Sequence, residues 1–529
     1  MSIKELKMRQ ITIKKANGVV YTPDWVVRLI LDNLHYTGKI EDKKIIDPAC
    51  GDGAFLSIVV KRFIVSAKSN NKNNQEIKFL LENNIFGWDI DEEAIGECKK
   101  YLTNIALKYG LKNINWNLHI IDSLDKTFCK KYFNTFDFVI GNPPYVRIQN
   151  LELKKRNYIQ KEWGFCRSGS TDIYLAFFEL GYFLLKNDGR LGFITPNTYL
   201  KTFAGKDLRL FIKHKNILDT LIDFEHHQIF DNITTYVLIT ILNNNHKSHS
   251  FKLFKGDFNQ NIKFIDNVKV NILNDDNWIL TSNEILKKIN NIEKRGTPLN
   301  KIAKIHVGIA TLADNYYIFK DPVFEGERAK IKLKDGRIFD IEKNILKPII
   351  KVSVLKSSHE NQNRFIIFPY KKINNKHSII PEEELKIKFP LTYKYFIEIK
   401  DILLLRDKGK RALAPWYAFG RSQGLDTSFG KKIITSPMNL KPNFIYWDKI
   451  EYTFYAGYCV KSNNEQILKL LLTELNSKDM EFYINYTSRS YQSNYKSYSK
   501  TFLKKFSIDN LNININLKKE KKQEILFDL

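Results

Sequence analysis

Two periods of hydrophobicity alternate along the first half of the chain. Short apolar runs at residues 44–47, 85–89, 116–121, 136–140 and 190–195 predict strands, since each is shorter than a stable helix and lies among turn residues. Between them, residues 26–34, 54–65, 92–109 and 172–185 space apolar side chains three and four apart and predict helices, with a further helix after Gly205. The polar stretch 68–75 reads as a loop, Asn187-Asp-Gly189 as a turn, and residues 217–224 and 235–242 as two closing β-rich runs. Strands alternating with helices predict βαβ units, hence a mostly parallel sheet with helices on both faces. The pattern stops at the polar tract 243–250, which marks an expected boundary: one domain over 1–245 and a second over 246–529. In the second, strands are shorter, lysines denser and the order irregular, as in a mixed α+β domain.

Composition narrows the class. The 529 residues exceed what one core usually holds, and 43% hydrophobic with 13% aromatic content excludes wholesale disorder. Lys and Arg number 84 against 58 Asp and Glu, a net charge of +26 that suits a polyanion: nucleic acid or an anionic membrane surface. The chain is also rich in Lys, Asn and Ile, so part of this excess is compositional bias. The longest apolar stretch, 174–185, is too short to span a bilayer and carries Glu179. The opening MSIKELKMRQ lacks the apolar core of a signal peptide. Five cysteines, odd in number and without a C-x-x-C pair, argue against a disulfide framework or a Cys-based zinc site. No metal constellation stands out, and the expectation is a soluble, cytoplasmic protein. The lysine-rich tail 518–522 reads as a solvated helix face or frayed end.

The chemistry sits at strand ends. Asp47-Pro-Ala-Cys-Gly-Asp-Gly53 follows a strand and precedes a helix; its glycines allow a tight turn and close ligand approach. It lacks the third glycine of the dinucleotide fingerprint and the Lys-Ser/Thr of a P-loop. Asp89 ends the second strand, where a carboxylate binds ribose hydroxyls, and Asp122 ends the third, where it would accept from an adenine amino group. Helix N-capping is the competing role for such aspartates. Asp89 lies 42 residues after Asp47, against roughly 20 in a Rossmann fold, an excess assigned in part to the loop 68–75. At the fourth strand end stands Asn142-Pro-Pro-Tyr145. The prolines remove backbone donors and stiffen the loop, leaving carbonyls as acceptors. Nothing here is a strong base or nucleophile. The set suits an exocyclic amine on a planar ring: Asn142 and the Pro143 carbonyl accept its two N–H groups, Tyr145 stacks on the ring, and Phe230 closes the other face.

Together with Tyr21-Thr-Pro23, these segments resemble, in composition and order, the motifs of the γ group of S-adenosylmethionine-dependent adenine-N6 DNA methyltransferases, the TaqI-like enzymes. The resemblance implies a Rossmann-like catalytic domain with a mostly parallel seven-stranded sheet, followed by a mixed α+β target-recognition domain. It implies that Thr22, Asp47, Ala49, Cys50, Gly51, Asp89 and Asp122 line S-adenosylmethionine, and that Asn142, Pro143, Pro144 and Tyr145 hold the target adenine with Phe230 packed against it. Asp231 stands where relatives commonly have proline. Thr171-Asp-Ile-Tyr174 and Ile194-Thr-Pro-Asn197 match later segments of the family.

In the second half, Val307-Gly-Ile-Ala-Thr311 through Phe319, and Trp416-Tyr-Ala-Phe-Gly-Arg421, resemble pieces of the recognition domain. There Arg421 and Gln423 have the chemistry for base edges, while Arg489, Tyr491, Gln492, Tyr495 and Lys496 suit phosphate contacts. The implied partner is double-stranded DNA with a specific sequence, bound by a monomer with no membrane association, either solitary or beside a separate restriction endonuclease. Neighbouring possibilities are methylation of cytosine N4, RNA or a protein glutamine, or a non-catalytic DNA-binding relative. Glu384-Leu-Lys386 and Glu398-Ile-Lys400 match half of a nuclease motif, as chance allows in so Lys-rich a chain.

Overall fold

The run Ile45-Ile46-Asp47 is apolar on both sides because both sides are covered. Ile45 enters one apolar cluster and Ile46 another, and the same alternation separates Ile140 from Val139 and Ile194 from Phe193. A computed structural model describes residues 22–167, 170–230, 235–374, 376–409 and 415–509. In it the chain divides into two compact units between Lys287 and Lys288.

The first unit is built on strands β1 (Ile45–Asp47), β2 (Ile85–Asp89), β3 (Asn117–Ile120), β4 (Phe136–Gly141), β5 (Leu185–Pro196), β6 (Leu218–Asp223), β7 (Val237–Asn243), β8 (Ser250–Gly256) and β9 (Ile262–Lys269). They form one nine-stranded sheet in the order 3-2-1-4-5-7-6-8-9. Strands β3, β2, β1, β4 and β5 run parallel, and β7 is antiparallel to both β5 and β6. One face is covered by helices α1 (Asp24–Asn33), α2 (Ala54–Ser69), α3 (Asn74–Asn84) and α4 (Glu92–Lys108). The other is covered by residues of α5 (Leu153–Glu162), α6 (Tyr174–Leu184) and α7 (Lys206–Lys215).

Three expectations change. The sheet has nine strands where the resemblance implies seven, because β8 pairs with β6 and β9 with β8. For the same reason the polar tract 243–250 is not a boundary: it returns the chain to the same sheet, and the division falls after Lys287. The stretch 68–75 is only in part a loop. Helix α2 runs to Ser69, and Asn73 opens α3 with a capping box in which its side chain accepts from Gln75 and Glu76 N–H while the Glu76 carboxylate accepts from the Asn73 N–H. An added helix, more than a loop, therefore separates Asp47 from Asp89. The ladder between β4 and β5 breaks across Asn187-Asp-Gly189, pairing Phe136 with Leu185 and then Phe138 with Arg190.

The second unit carries two four-stranded sheets. One orders Lys304–Val307, Tyr458–Lys461, Lys432–Thr435 and Phe444–Trp447; the other orders Ile318–Lys320, Arg364–Ile367, Leu346–Lys351 and Thr453–Tyr455. Glu384 pairs with Lys388 of its own helix and with Lys371 of the strand Tyr370–Ile373, and Lys386 pairs with Glu383, so both charged residues of this E-x-K tripeptide are engaged in local ion pairs.

Close packing of α1 on the sheet depends on Gly192 in β5. A Cβ there would stand 2.7 Å from Ile30 Cγ2 and 2.9 Å from Leu34 Cδ1, whereas one on Gly96 in α4 would meet nothing within 4 Å. Gly192→Ala is expected to cost about 1–3 kcal/mol, and Gly96→Ala to gain about 0.5–1 kcal/mol. Opposite shifts of the thermal midpoint would show this.

Candidate active site at the carboxyl edge of the sheet

Parallel pairing brings the carboxyl ends of β1, β2, β4 and β5 to one edge, and with them Asp47, Asp89, Asn142 and Pro196. Asp47 is 1% exposed. Its Oδ1 accepts the Ala49 N–H at 3.0 Å, which folds the loop back over the strand. Gly141, at φ +148°, approaches so closely that a Cβ there would lie 2.6 Å from the same oxygen. Burial pushes the Asp47 carboxyl up to about 8, the Asp89 charge adds to this, and the Ala49 hydrogen bond opposes it.

The loop is tied to β2 as well. Cys50 N–H donates to Trp88 O at 2.9 Å, and Gly51 N–H donates to Asp89 Oδ2 at 2.8 Å. Asp89 Oδ1 accepts from Asp91 N–H at 3.0 Å. Gly51 sits at φ +52° and Gly53 at φ +94°, conformations that side chains resist. A Cβ on Gly53 would lie 2.7 Å from Cys98 Sγ, while beside Gly51 there is open space. Cys50 is buried, and a hydrogen bond with Cys98, together with burial, holds its thiol well above the usual range. Ala49, Gly51 and Asp89 therefore face the edge, and Asp47 and Cys50 brace the loop from beneath. Asp122 accepts from Leu124 N–H at 3.0 Å and forms an ion pair with Lys155 of α5. No motif announced that lysine.

Asn142 follows β4 directly. Its Nδ2 donates to Oγ1 of Thr22 at 3.0 Å, across 120 residues of sequence. Thr22 is 2% exposed and precedes α1, while Tyr21 lies outside the described residues. Tyr145 is held from three sides. Its hydroxyl donates to Ile194 O at 3.3 Å, and its ring meets Tyr174 edge-on at 6.5 Å. The backbone beyond it pairs with the 171–173 segment, through Ile148 N–H to Thr171 O and Ile173 N–H to Val146 O, both 2.9 Å. The segments 171–174 and 194–197, which sequence matched only by resemblance, thus support the 142–145 loop. Burial raises the Tyr145 phenol well above its ordinary value. Phe230 is 3% exposed and belongs to the apolar cluster against which Tyr145 packs; Asp231 lies outside the described residues.

In the second unit, Gly420 N–H donates to Thr311 O at 2.9 Å and Arg421 N–H to Ala310 O at 3.2 Å, which joins the two segments singled out in the sequence. Arg421 is exposed, whereas Gln423 is half-buried and its amide donates to Gly308 O at 3.5 Å. Arg489 is exposed, and Lys496 Nζ donates to Ser490 Oγ at 2.7 Å. The side chain of Gln492 and the tail 518–522 lie outside the described residues. Among the described residues no helix is long and apolar enough to cross a membrane.

Residues 83–230 match the model of the Eco57I restriction-modification methylase family. The chain is 29% identical to the Type II restriction enzyme and methyltransferase RM.Eco57I of Escherichia coli, over 77% of its own length and 48% of that protein's. It is 26% identical to the Type II methyltransferase M.BstVI of Geobacillus stearothermophilus, covering 76% of this chain and 74% of that one. For the Type II methyltransferase M.BanIII of Aneurinibacillus aneurinilyticus the identity is 24%, over 90% and 87%. The chain thus spans about half the length of the E. coli relative and most of the other two. Among solved structures, the Type IIL restriction-modification enzyme MmeI superposes with a TM-score of 0.53 at 13% identity, over 91% of this chain and 65% of that one, a likeness of fold.

The buried Asp47 gives the edge a pH signature. Its folded value of about 8 lies above that of the unfolded chain, near 4. Between these values the folded protein keeps a proton that the unfolded chain has released. Its contribution to stability is complete below about pH 4 and is lost as pH rises toward about 8. Asp47→Asn is expected to flatten the fall in thermal midpoint across this window, measured without added ligand; equal slopes would contradict the buried, protonated carboxyl.

Proposed function

We propose that this chain is a site-specific DNA methyltransferase of the Type II restriction-modification kind, moving a methyl group from S-adenosylmethionine to N6 of an adenine flipped out of duplex DNA. The observation that carries the reading is Asn142-Pro-Pro-Tyr145 at the end of β4, hydrogen-bonded to Thr22 and braced by segments 171–174 and 194–197. The relatives named as Type II methyltransferases support the class of reaction.

The residues present fit an adenosine-bearing sulfonium. Open space lies beside Gly51, and in this reading the Asp89 carboxylate, at the strand end next to it, also accepts from the ribose hydroxyls. When bound, the cofactor supplies an electrophilic methyl group. The chain's own part is orientation. With Nδ2 of Asn142 held by Thr22, the Oδ1 end of the amide is the acceptor offered to the N6 amine, and the Pro143 carbonyl accepts the second N–H. Drawing on both protons localises the nitrogen lone pair toward the methyl group. Tyr145 presents its ring to the base, while its hydroxyl, anchored on Ile194 O, fixes the ring plane. Pro144 has no N–H and keeps the loop stiff. Phe230 is the packing partner on the far side of the base. A stacked adenine does not reach a sheet edge, so the base leaves the duplex.

Asp47, Ala49, Cys50 and Asp122 complete the cofactor pocket in this reading, the first and third by supporting the loop. Arg421, Gln423, Arg489 and Lys496 belong to the DNA-recognition surface of the second unit. The enzyme acts in the cytoplasm as a monomer, with any restriction endonuclease a separate chain.

The test is tritiated methyl transfer into DNA, with the modified base identified after hydrolysis. N6-methyladenine is expected; N4-methylcytosine would overturn the base assignment. Asn142→Ala should lose at least about a hundredfold in turnover while cofactor binding by calorimetry persists. Thr22 lines the cofactor as well in this reading, so Thr22→Val should both lower kcat and weaken cofactor binding, with Thr22→Ser restoring both. Full activity of Asn142→Ala would remove the catalytic assignment.

A further inference from the structure

The stretch Arg489-Ser-Tyr-Gln-Ser-Asn-Tyr-Lys-Ser497 doubles back on itself. Ser497 N–H donates to Arg489 O at 3.0 Å, Ser490 bridges Lys496, and Tyr491 N–H donates to Tyr495 O at 2.8 Å. Ser493 and Asn494 make the turn with φ of 57° and 62°, a left-handed pair of the sort that closes a hairpin. The outer strand is in turn paired: Met438–Asn439 runs antiparallel to Lys496–Ser497, and Tyr498 N–H donates to Pro437 O at 2.9 Å. The result is a short ribbon whose outer strand is paired along one side.

Its surface chemistry is one-sided. Tyr491 is 46% exposed and Tyr495 41%, large aromatic areas that a chain does not ordinarily leave in water at the end of a hairpin. Arg489 is exposed beside them. Neither residues 486–500 nor residues 437–443 contain a single Asp or Glu, although acidic residues make up 58 of the 529. Within these segments the cations of the ribbon thus have no acidic neighbour, in contrast to Lys371 and Lys388, which share the Glu384 carboxylate. A two-stranded β-ribbon is one of the two elements that the major groove of B-DNA admits. Tyrosine offers both a hydroxyl for a base edge and a ring for a thymine methyl.

We infer that the ribbon 489–497 is a specificity element that enters the major groove of duplex DNA, with Tyr491 and Tyr495 against base edges and Arg489 and Lys496 on the flanking phosphates. This rests on the reading of DNA as substrate and assigns the sequence-reading contact to a particular element of the second unit.

Two measurements on the full-length chain test it. In the first, short duplexes of random sequence are compared with duplexes in which glucosylated 5-hydroxymethylcytosine fills the major groove. The wild type is expected to bind the unmodified duplex about tenfold more tightly. The Tyr491→Ser/Tyr495→Ser variant should bind both alike, at unchanged cofactor affinity and thermal midpoint. A variant that keeps the full discrimination overturns the inference, as does a wild type that shows none. In the second, which needs no variant to fold, 5-iodouracil duplexes are photo-crosslinked to the wild type and the adducts mapped. Adducts at Tyr491 or Tyr495 are expected, and adducts confined to other segments overturn the ribbon. Methyl transfer without ribbon adducts defeats this inference alone. Ribbon adducts without any methyl transfer defeat the catalytic reading alone.

Discussion

Asp47 is the point on which the edge depends. A single buried carboxyl accepts the Ala49 amide and stands against Gly141, so that it fixes the start of one loop and the approach of another. Because β1 lies between β2 and β4, any shift of Asp47 would move the Gly51–Asp89 hydrogen bond on one side and the Asn142 loop on the other. Removing a carboxyl from water costs free energy, and the rise of its proton affinity is the visible form of that cost. What the fold gains is a rigid junction at the one place where two loops must keep a set distance.

The same economy of contact recurs at the 142–145 loop. Asn142 and Tyr145 are not held by their own strand alone. Their partners come from residue 22, from the 171–174 segment and from the end of β5. Several elements distant in sequence must therefore be in place before the amide and the ring have defined orientations. Preorganisation of this kind suits a reaction that needs no strong acid or base, because nothing but orientation and polarity is left to accelerate it.

Much of this was legible in the residues and some was not. The strands β1, β2 and β4 and the order of the motifs follow from short apolar runs that end in Asp or Asn, since a buried parallel strand announces both its faces at once. The candidate site residues stood out because glycine, proline and aspartate gather at successive strand ends, although helix capping competes as a role for the aspartates. The extra helix α3 was hidden in polar sequence, where a capping box at Asn73 and Glu76 was the signal to find. The boundary was misplaced because a polar turn looks the same whether the chain leaves a sheet or returns to it; only the pairing of β8 with β6 distinguishes the two. Lys155 beside Asp122 had no signal at all, and the motif that singled out Thr22 did not announce its hydrogen bond to Asn142. Each is a contact between elements distant in sequence that only the fold brings together.

Charge shows most clearly what position adds to composition. A net +26 does not say where the excess acts. Many lysines are spent on local pairs: Lys371 and Lys388 share Glu384, Lys43 and Lys186 share Asp137, and Lys431 and Lys469 share Glu465. Each such trio carries one net positive charge where the count of lysines gives two, which about halves its contribution to a field that a polyanion would feel. An unbalanced cation matters more than a counted one. On that ground a short ribbon with two cations and no acid within its segments outweighs a lysine-rich helix with its glutamates in register, and the coding bias that enriches both cannot account for the difference between them.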